Sequence, residues 1–171
     1  MILIIMRHGE AVEYREPDST RALTDYGMQQ CENVGKWLSQ NLLRLSSVSE
    51  RADASQVVAN IDLALVSPYL RTQQTISALA KHVSVHNQET IEAITPIGNA
   101  AQCADLIHAY ACDSDAPNCM LIVTHMPLVS LLSDRMCAGF NASFFDTADT
   151  LIIDYACDTG IGKQLVMYQG G

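Results

Sequence analysis

Short, uninterrupted apolar runs alternate along this chain with segments whose apolar residues recur every three or four positions, which restricts it to folds built from βαβ units. The first run, Ile2-Leu3-Ile4-Ile5-Met6, is apolar at every position and reads as a strand buried on both faces, as in parallel sheets. Met28, Cys31, Val34, Leu38 and Leu42 then mark one helical face, with Thr24 as its N-cap. Ile61 to Val66 reads as a second strand. Ser67-Pro68 supplies an N-cap and a first-turn proline for a helix continuing through Leu70, Ile76, Leu79 and Val83. The pattern is irregular from Val83 to Ile94, which predicts a short strand and a loop. Asn99 to Ala111 reads as a helix and Met120 to Thr124 as a further buried strand, and Pro127 opens a helix through Leu128, Leu131, Leu132 and Met136. Leu151 to Tyr155 and Gln164 to Tyr168, separated by turn residues Asp158 to Gly162, form a closing antiparallel hairpin. The predicted architecture is a single three-layer α/β domain over residues 1–171, with a mostly parallel sheet, helices on both faces and a C-terminal antiparallel hairpin.

A chain of 171 residues is long enough for one domain with a real core and too short for a large cap or a second domain. Apolar residues make up 49% and charged residues 17%, which argues against disorder. No apolar stretch is long enough to span a bilayer, and Arg7 cuts the first run too early for a secretory signal core. A soluble, cytoplasmic monomer is the expectation. Six cysteines without a Cys-x-x-Cys pair read as reduced thiols and not as a zinc or disulfide framework. A net charge of -9 argues against non-specific nucleic-acid binding and makes arginines gathered in a pocket more telling. His82 and His86 are four apart, but alternate with Val83 and Val85 as a strand or loop would, so surface histidines are expected there and not a metal pair. His108 reads as structural, Gly160-Ile161-Gly162 as a turn, and Ser46 to Gln56 as a polar surface loop or insertion. Cys137 lacks the arginine that a cysteine phosphatase needs shortly after its nucleophile.

Three predicted strands end in residues suited to phosphate chemistry: Arg7-His8-Gly9, Ser67-Pro68-Tyr69-Leu70-Arg71 and Thr124-His125. Parallel sheets carry ligands beyond the carboxyl ends of their strands, so these residues converge on one rim. The two prolines imply helix N-termini there, whose free N–H groups and dipole favour an anion. Singly, Arg71 reads as a surface cation and His125 as a helix cap. Jointly, the three strand ends point to phosphoryl transfer.

In order and spacing, Arg7-His8-Gly9, Arg21-Ala22-Leu23-Thr24 with Gly27 and Gln30, Val66-Ser67-Pro68-Tyr69-Leu70-Arg71 followed by Gln74-Thr75, and Val123-Thr124-His125-Met126-Pro127 resemble the histidine phosphatase superfamily of phosphoglycerate mutase-like proteins. The small size and the opening Met6-Arg7-His8-Gly9-Glu10 are most similar to its SixA-type phosphohistidine phosphatases. The resemblance implies a metal-independent and cofactor-free phosphatase with His8 as nucleophile, Arg7 and Arg71 as phosphate ligands and His125 as the second histidine. It also implies a phosphorylated partner, either a histidine-phosphotransfer domain or a phosphocarrier protein. Ser39 to Asn60 is longer than the compact SixA-like pattern between the Trp37 helix and the second strand, and the sequence does not place it relative to the pocket mouth.

Arginine forks and backbone N–H groups can neutralise a phosphoryl group, and flanking arginines favour the neutral imidazole that His8 needs for attack, its other nitrogen donating to a backbone carbonyl near Gly9. His125 adds a donor as charge develops. Asp18, three residues before Arg21, matches an acidic position of SixA-like chains and is a candidate acid or water-orienting group. Arg21 is expected either to hold that loop or to touch phosphate. Glu89 and Glu92 read as solvated carboxylates. A site without a strong acid suits P–N better than P–O bonds. The alternatives are a phosphomonoesterase acting on a small metabolite and a non-catalytic phosphohistidine-binding module, which has no need of a nucleophile.

Overall fold

The computed structural model describes residues 1–48, 59–141 and 144–171. β1 (Ile2–Arg7), β2 (Ile61–Val66), β3 (Val85–Thr90), β4 (Cys119–Thr124), β5 (Thr150–Ala156) and β6 (Ile161–Tyr168) form one sheet in the order β3-β2-β4-β1-β5-β6. Neighbours are parallel from β3 to β1 and antiparallel from β1 to β6. The helices are α1 (Asp25–Val48), α2 (Leu70–Leu79), α3 (Ala100–Ala111) and α4 (Leu128–Met136). Side chains alternate along a strand, and here both faces are covered: Ile2, Ile4 and Met6 enter one core with Val34, Leu38 and Ile76, whereas Leu3 and Ile5 enter the other with Ile107, Leu128 and Leu132. The three-layer α/β architecture with a closing hairpin is therefore the fold observed.

Several boundaries differ from the sequence reading. Thr24 does cap α1, its Oγ1 accepting the Gly27 N–H at 2.9 Å, but the helix runs on to Val48 into the serine-rich stretch. There Ser46 and Ser47 donate their hydroxyls to the Leu43 and Arg44 carbonyls, which suits serine to a helix as well as to a loop. The remainder of the predicted 46–56 loop, from residue 49, lies outside the described residues. At about 1.5 Å per residue, the 24 residues of α1 carry the chain roughly 36 Å, from the rim where β1 ends to the end where β2 begins. Both described flanks of the 39–60 segment thus stand at the end of the sheet away from His8.

α2 starts at Leu70 with Tyr69 as its N-cap position, so Ser67 and Pro68 precede the helix instead of capping it. It closes at Leu79 in a turn in which Lys81 and His82 donate to Ala78 and Leu79, and Val83 stays buried from that turn. Leu70 and Leu131, placed by periodicity on apolar faces, are exposed. β3 is the short strand expected between Val83 and Ile94, and it carries the polar sequence Val-His-Asn-Gln-Glu-Thr because it is an edge strand, which is why the apolar pattern is irregular there. β6 begins at Ile161, inside the predicted turn, since Gly160 takes a positive φ of 68° and reverses the chain early.

Candidate active site

The register of the sheet builds the site. Arg7 pairs with Thr124 and Val66 with Val123, so the next residues of three adjacent strands, His8, Ser67 and His125, emerge side by side at the carboxyl rim. His8 is pinned there through its N–H, which donates to the Thr124 carbonyl. The turn after it requires glycine: a Cβ on Gly9 would meet the Gly27 carbonyl oxygen at 2.5 Å and Cys31 Sγ at 2.6 Å. That close approach lets the first turn of α1 pack on the nucleophile loop. Thr75 of α2 accepts the Gly9 N–H at 3.1 Å and donates to the Arg71 carbonyl at 2.7 Å. Gln30 accepts the Glu10 N–H, and Gln74 accepts the Leu23 N–H. The residues flanking the predicted catalytic positions are thus the ones that hold the loops around them.

His8 Nδ1 lies 2.7 Å from the Gly9 carbonyl oxygen, so Nδ1 carries the proton and Nε2 presents its lone pair. Arg71 Nε donates to that Nε2 at 3.1 Å, while its two terminal nitrogens donate to the Asp18 carbonyl and to Asp18 Oδ2 at 2.9 and 3.0 Å. The guanidinium stacks over the Tyr69 ring at 4.8 Å. His125 is 1% exposed, lies edge-on to His8 with ring centroids 5.1 Å apart, and shares a 2.8 Å hydrogen bond between Nε2 and Ser67 Oγ. Arg7 donates to the Phe145 carbonyl at 2.6 Å, and its Nε is buried without a partner among the described residues.

Burial, reinforced by Arg71 and Arg7 and opposed by the Gly9 hydrogen bond, pushes His8 down to about 3. Burial beside His8 and the two arginines takes His125 down to about 2. Both rings are neutral across the physiological range. Burial also lowers both arginines, offset by Asp146 and Asp149 at Arg7 and by Asp18 at Arg71. For Asp18 burial acts upward, but hydrogen bonds from Arg21 and Arg71 outweigh it and hold the carboxyl below its usual range. Arg21 donates to Val12's carbonyl through Nε and Nη2 and to Asp18 Oδ1, so it braces the 12–18 loop.

All six predicted site residues are therefore tied into one electrostatic cluster. Outside it, Glu89 accepts from Tyr110 on α3 and Glu92 sits exposed in a 3₁₀ turn. His82 and His86 face Glu32 and Asp62 respectively, and His108 binds the Tyr155 hydroxyl. Among the described residues no three histidine, cysteine or acidic side chains are grouped to hold a metal ion. Sequence reasoning missed Ser67, Tyr69 and Thr75 as parts of the site. The signal available was their place within the motif stretches that carry Arg71.

No family model matches the chain. It is 36% identical over 132 residues to the phosphohistidine phosphatase SixA homolog of Haemophilus influenzae, an alignment covering 75% of this chain and 73% of that protein. The chain belongs to the SixA family. Phosphohistidine phosphatase SixA of Escherichia coli is 28% identical over 151 residues, covering 86% of this chain and 81% of that one. The structure of the protein histidine phosphatase SixA complexed with tungstate superposes with a TM-score of 0.81 at 24% identity, covering 99% of this chain and 97% of the other, so this SixA-family chain also has that fold.

Proposed function

We propose that this protein is a phosphohistidine phosphatase that removes the phosphoryl group from a phosphohistidine displayed on a phosphotransfer or phosphocarrier protein. The observation that carries this reading is the state of Asp18. The carboxylate joined to the nucleophile's arginine is held as an anion by two guanidinium groups, so it is not a proton donor to a leaving group. An alkoxide leaving from a sugar phosphate needs a proton delivered to the departing oxygen. A phosphohistidine protonated from solvent on its second ring nitrogen releases neutral imidazole without one. Membership of the SixA family supports the same substrate class.

In this reading Arg7 and Arg71 take the phosphoryl oxygens, and Arg71 Nε gives up the His8 lone pair to do so. His8 Nε2 forms a bond to phosphorus as the substrate nitrogen–phosphorus bond breaks. Water then attacks phosphorus in phospho-His8, releasing phosphate and regenerating neutral His8. Asp18 keeps Arg71 aligned, and its remaining lone pairs orient the attacking water. Neither step draws on a metal or cofactor. Six free cysteines fit a reducing cytoplasm, and a monomer of one domain completes the proposal.

The test is loss of acid-labile phosphate from a phosphorylated histidine-phosphotransfer domain, with a sugar-phosphate panel run in parallel. Wild type is expected to dephosphorylate the domain, and His8→Ala to lose at least about 10³-fold in rate, since the covalent route disappears. Activity confined to the panel would move the protein to the metabolite phosphatases, and tight binding without turnover would make it a phosphohistidine reader.

A further inference from the structure

We propose that Ser67 is a positioning residue that sets the tautomer of His125, placing the imidazole proton on Nδ1, where it is donated to the phosphoryl group in flight. The inference rests on the phosphatase reading for its role in turnover, and on geometry alone for the tautomer.

Ser67 is fully buried and fixed from both sides. Its N–H donates to the Val123 carbonyl, and its own carbonyl accepts from Thr72 Oγ1 and Gln73 Nε2, both at 2.8 Å. The hydroxyl is left to face His125 Nε2 at 2.8 Å. The His125 ring packs edge-on against both Tyr69, centroids 4.9 Å apart, and His8. Its Nδ1 is buried and has no partner among the described residues. Burial keeps this imidazole neutral, so it has one proton to place on two nitrogens.

The hydroxyl decides which nitrogen receives it. If Nε2 carried the proton and donated to Ser67 Oγ, the serine O–H would need a second acceptor, and His125 is the partner found for Oγ among the described residues. A buried hydroxyl proton without an acceptor is costly. If Ser67 donates to Nε2, its one donor is satisfied, the Nε2 lone pair is satisfied, and the proton resides on Nδ1. That tautomer suits the site, because phosphoryl oxygens only accept. The other tautomer would turn a lone pair towards them and oppose the charge developing during transfer. Ser67 thus stands to His125 as the Gly9 carbonyl stands to His8: one partner keeps a donor free and the other keeps a lone pair free.

The experiment is ¹⁵N–¹H correlation of the histidine rings, free and with orthovanadate, for wild type, Ser67→Ala and Ser67→Thr, with phosphohistidine turnover on the same samples. In wild type His125 is expected as the pure Nδ1–H form. Ser67→Ala is expected to give a mixture of tautomers and a kcat lower by about 10- to 100-fold with KM changed little. Restoring the hydroxyl in Ser67→Thr should recover both. An Nε2–H form in wild type overturns the proposal even if the alanine variant does not fold, and so does an alanine variant with unchanged tautomer and kcat. A wild type inactive on phosphohistidine but showing pure Nδ1–H would instead sink the phosphatase reading and leave the tautomer assignment standing.

Discussion

Arg71 does the most varied chemistry of any residue in the site, since its three nitrogens contact three different groups and its plane stacks on Tyr69. A lysine at the same place keeps the charge and loses the fork. Arg71→Lys is therefore expected to reduce kcat/KM by about 10²- to 10³-fold, with the fold intact, as steady-state kinetics beside a circular dichroism spectrum will show. A loss under fivefold would mean that charge alone suffices. His8, Arg7, Arg71 and His125 were legible in the sequence because each follows a short apolar run or opens the helix after one. Asp18 and Arg21 were legible only as positions. The pairing of Asp18 with Arg71 across 53 residues, which with Arg21 fixes the ionised state of Asp18, belongs to tertiary structure. Ser67 shows the same limit: locally it has the form of a helix cap, and its actual partner lies 58 residues away.

At the scale of elements, the nucleophile loop is a short bend clasped between two helices. α1 approaches it through Gly27, and α2 holds it through Thr75, whose hydroxyl accepts the Gly9 N–H. Thr75→Val preserves shape and removes that acceptor, leaving a buried N–H unpaired at a cost of about 1–3 kcal/mol. Urea denaturation is expected to show a lower midpoint with unchanged slope, and turnover is expected to fall as His8 loses its anchor. Equal midpoints would show that the loop is held without Thr75. The boundaries that moved did so for local physical reasons. A serine-rich helix end satisfies its hydroxyls on its own carbonyls, an edge strand needs no apolar alternation, and Gly160 reverses the chain before Ile161 can join a turn.

For the whole molecule, two neutral buried histidines link stability to pH. In the unfolded chain each titrates near its ordinary 6.5, whereas in the fold they titrate at about 3 and about 2. Between those values the unfolded state binds more protons, so stability is complete above about pH 6.5 and falls as the solution is acidified towards pH 3. The limiting slope is about 1.4 kcal/mol per pH unit for each ring. Denaturant unfolding at pH 7.0, 5.5 and 4.5 is expected to show this decline, and His125→Asn to flatten it. A variant with the same slope as wild type would mean that other groups govern acid unfolding. The depressed Asp18 acts in the same direction at lower pH, being lost as protons reach a carboxylate held by two arginines.

Read alone, the sequence determined the layered α/β class, the order of the elements and four strand-end residues with phosphate chemistry. Those depend on burial periodicity and on motifs contiguous in the chain. Which strands became neighbours, which loop residues braced the nucleophile, and where each imidazole keeps its proton were decided only by the tertiary structure. A hydrogen bond between residues far apart leaves no period in the sequence, and a pKa depends on the burial and charges that only the assembled rim supplies.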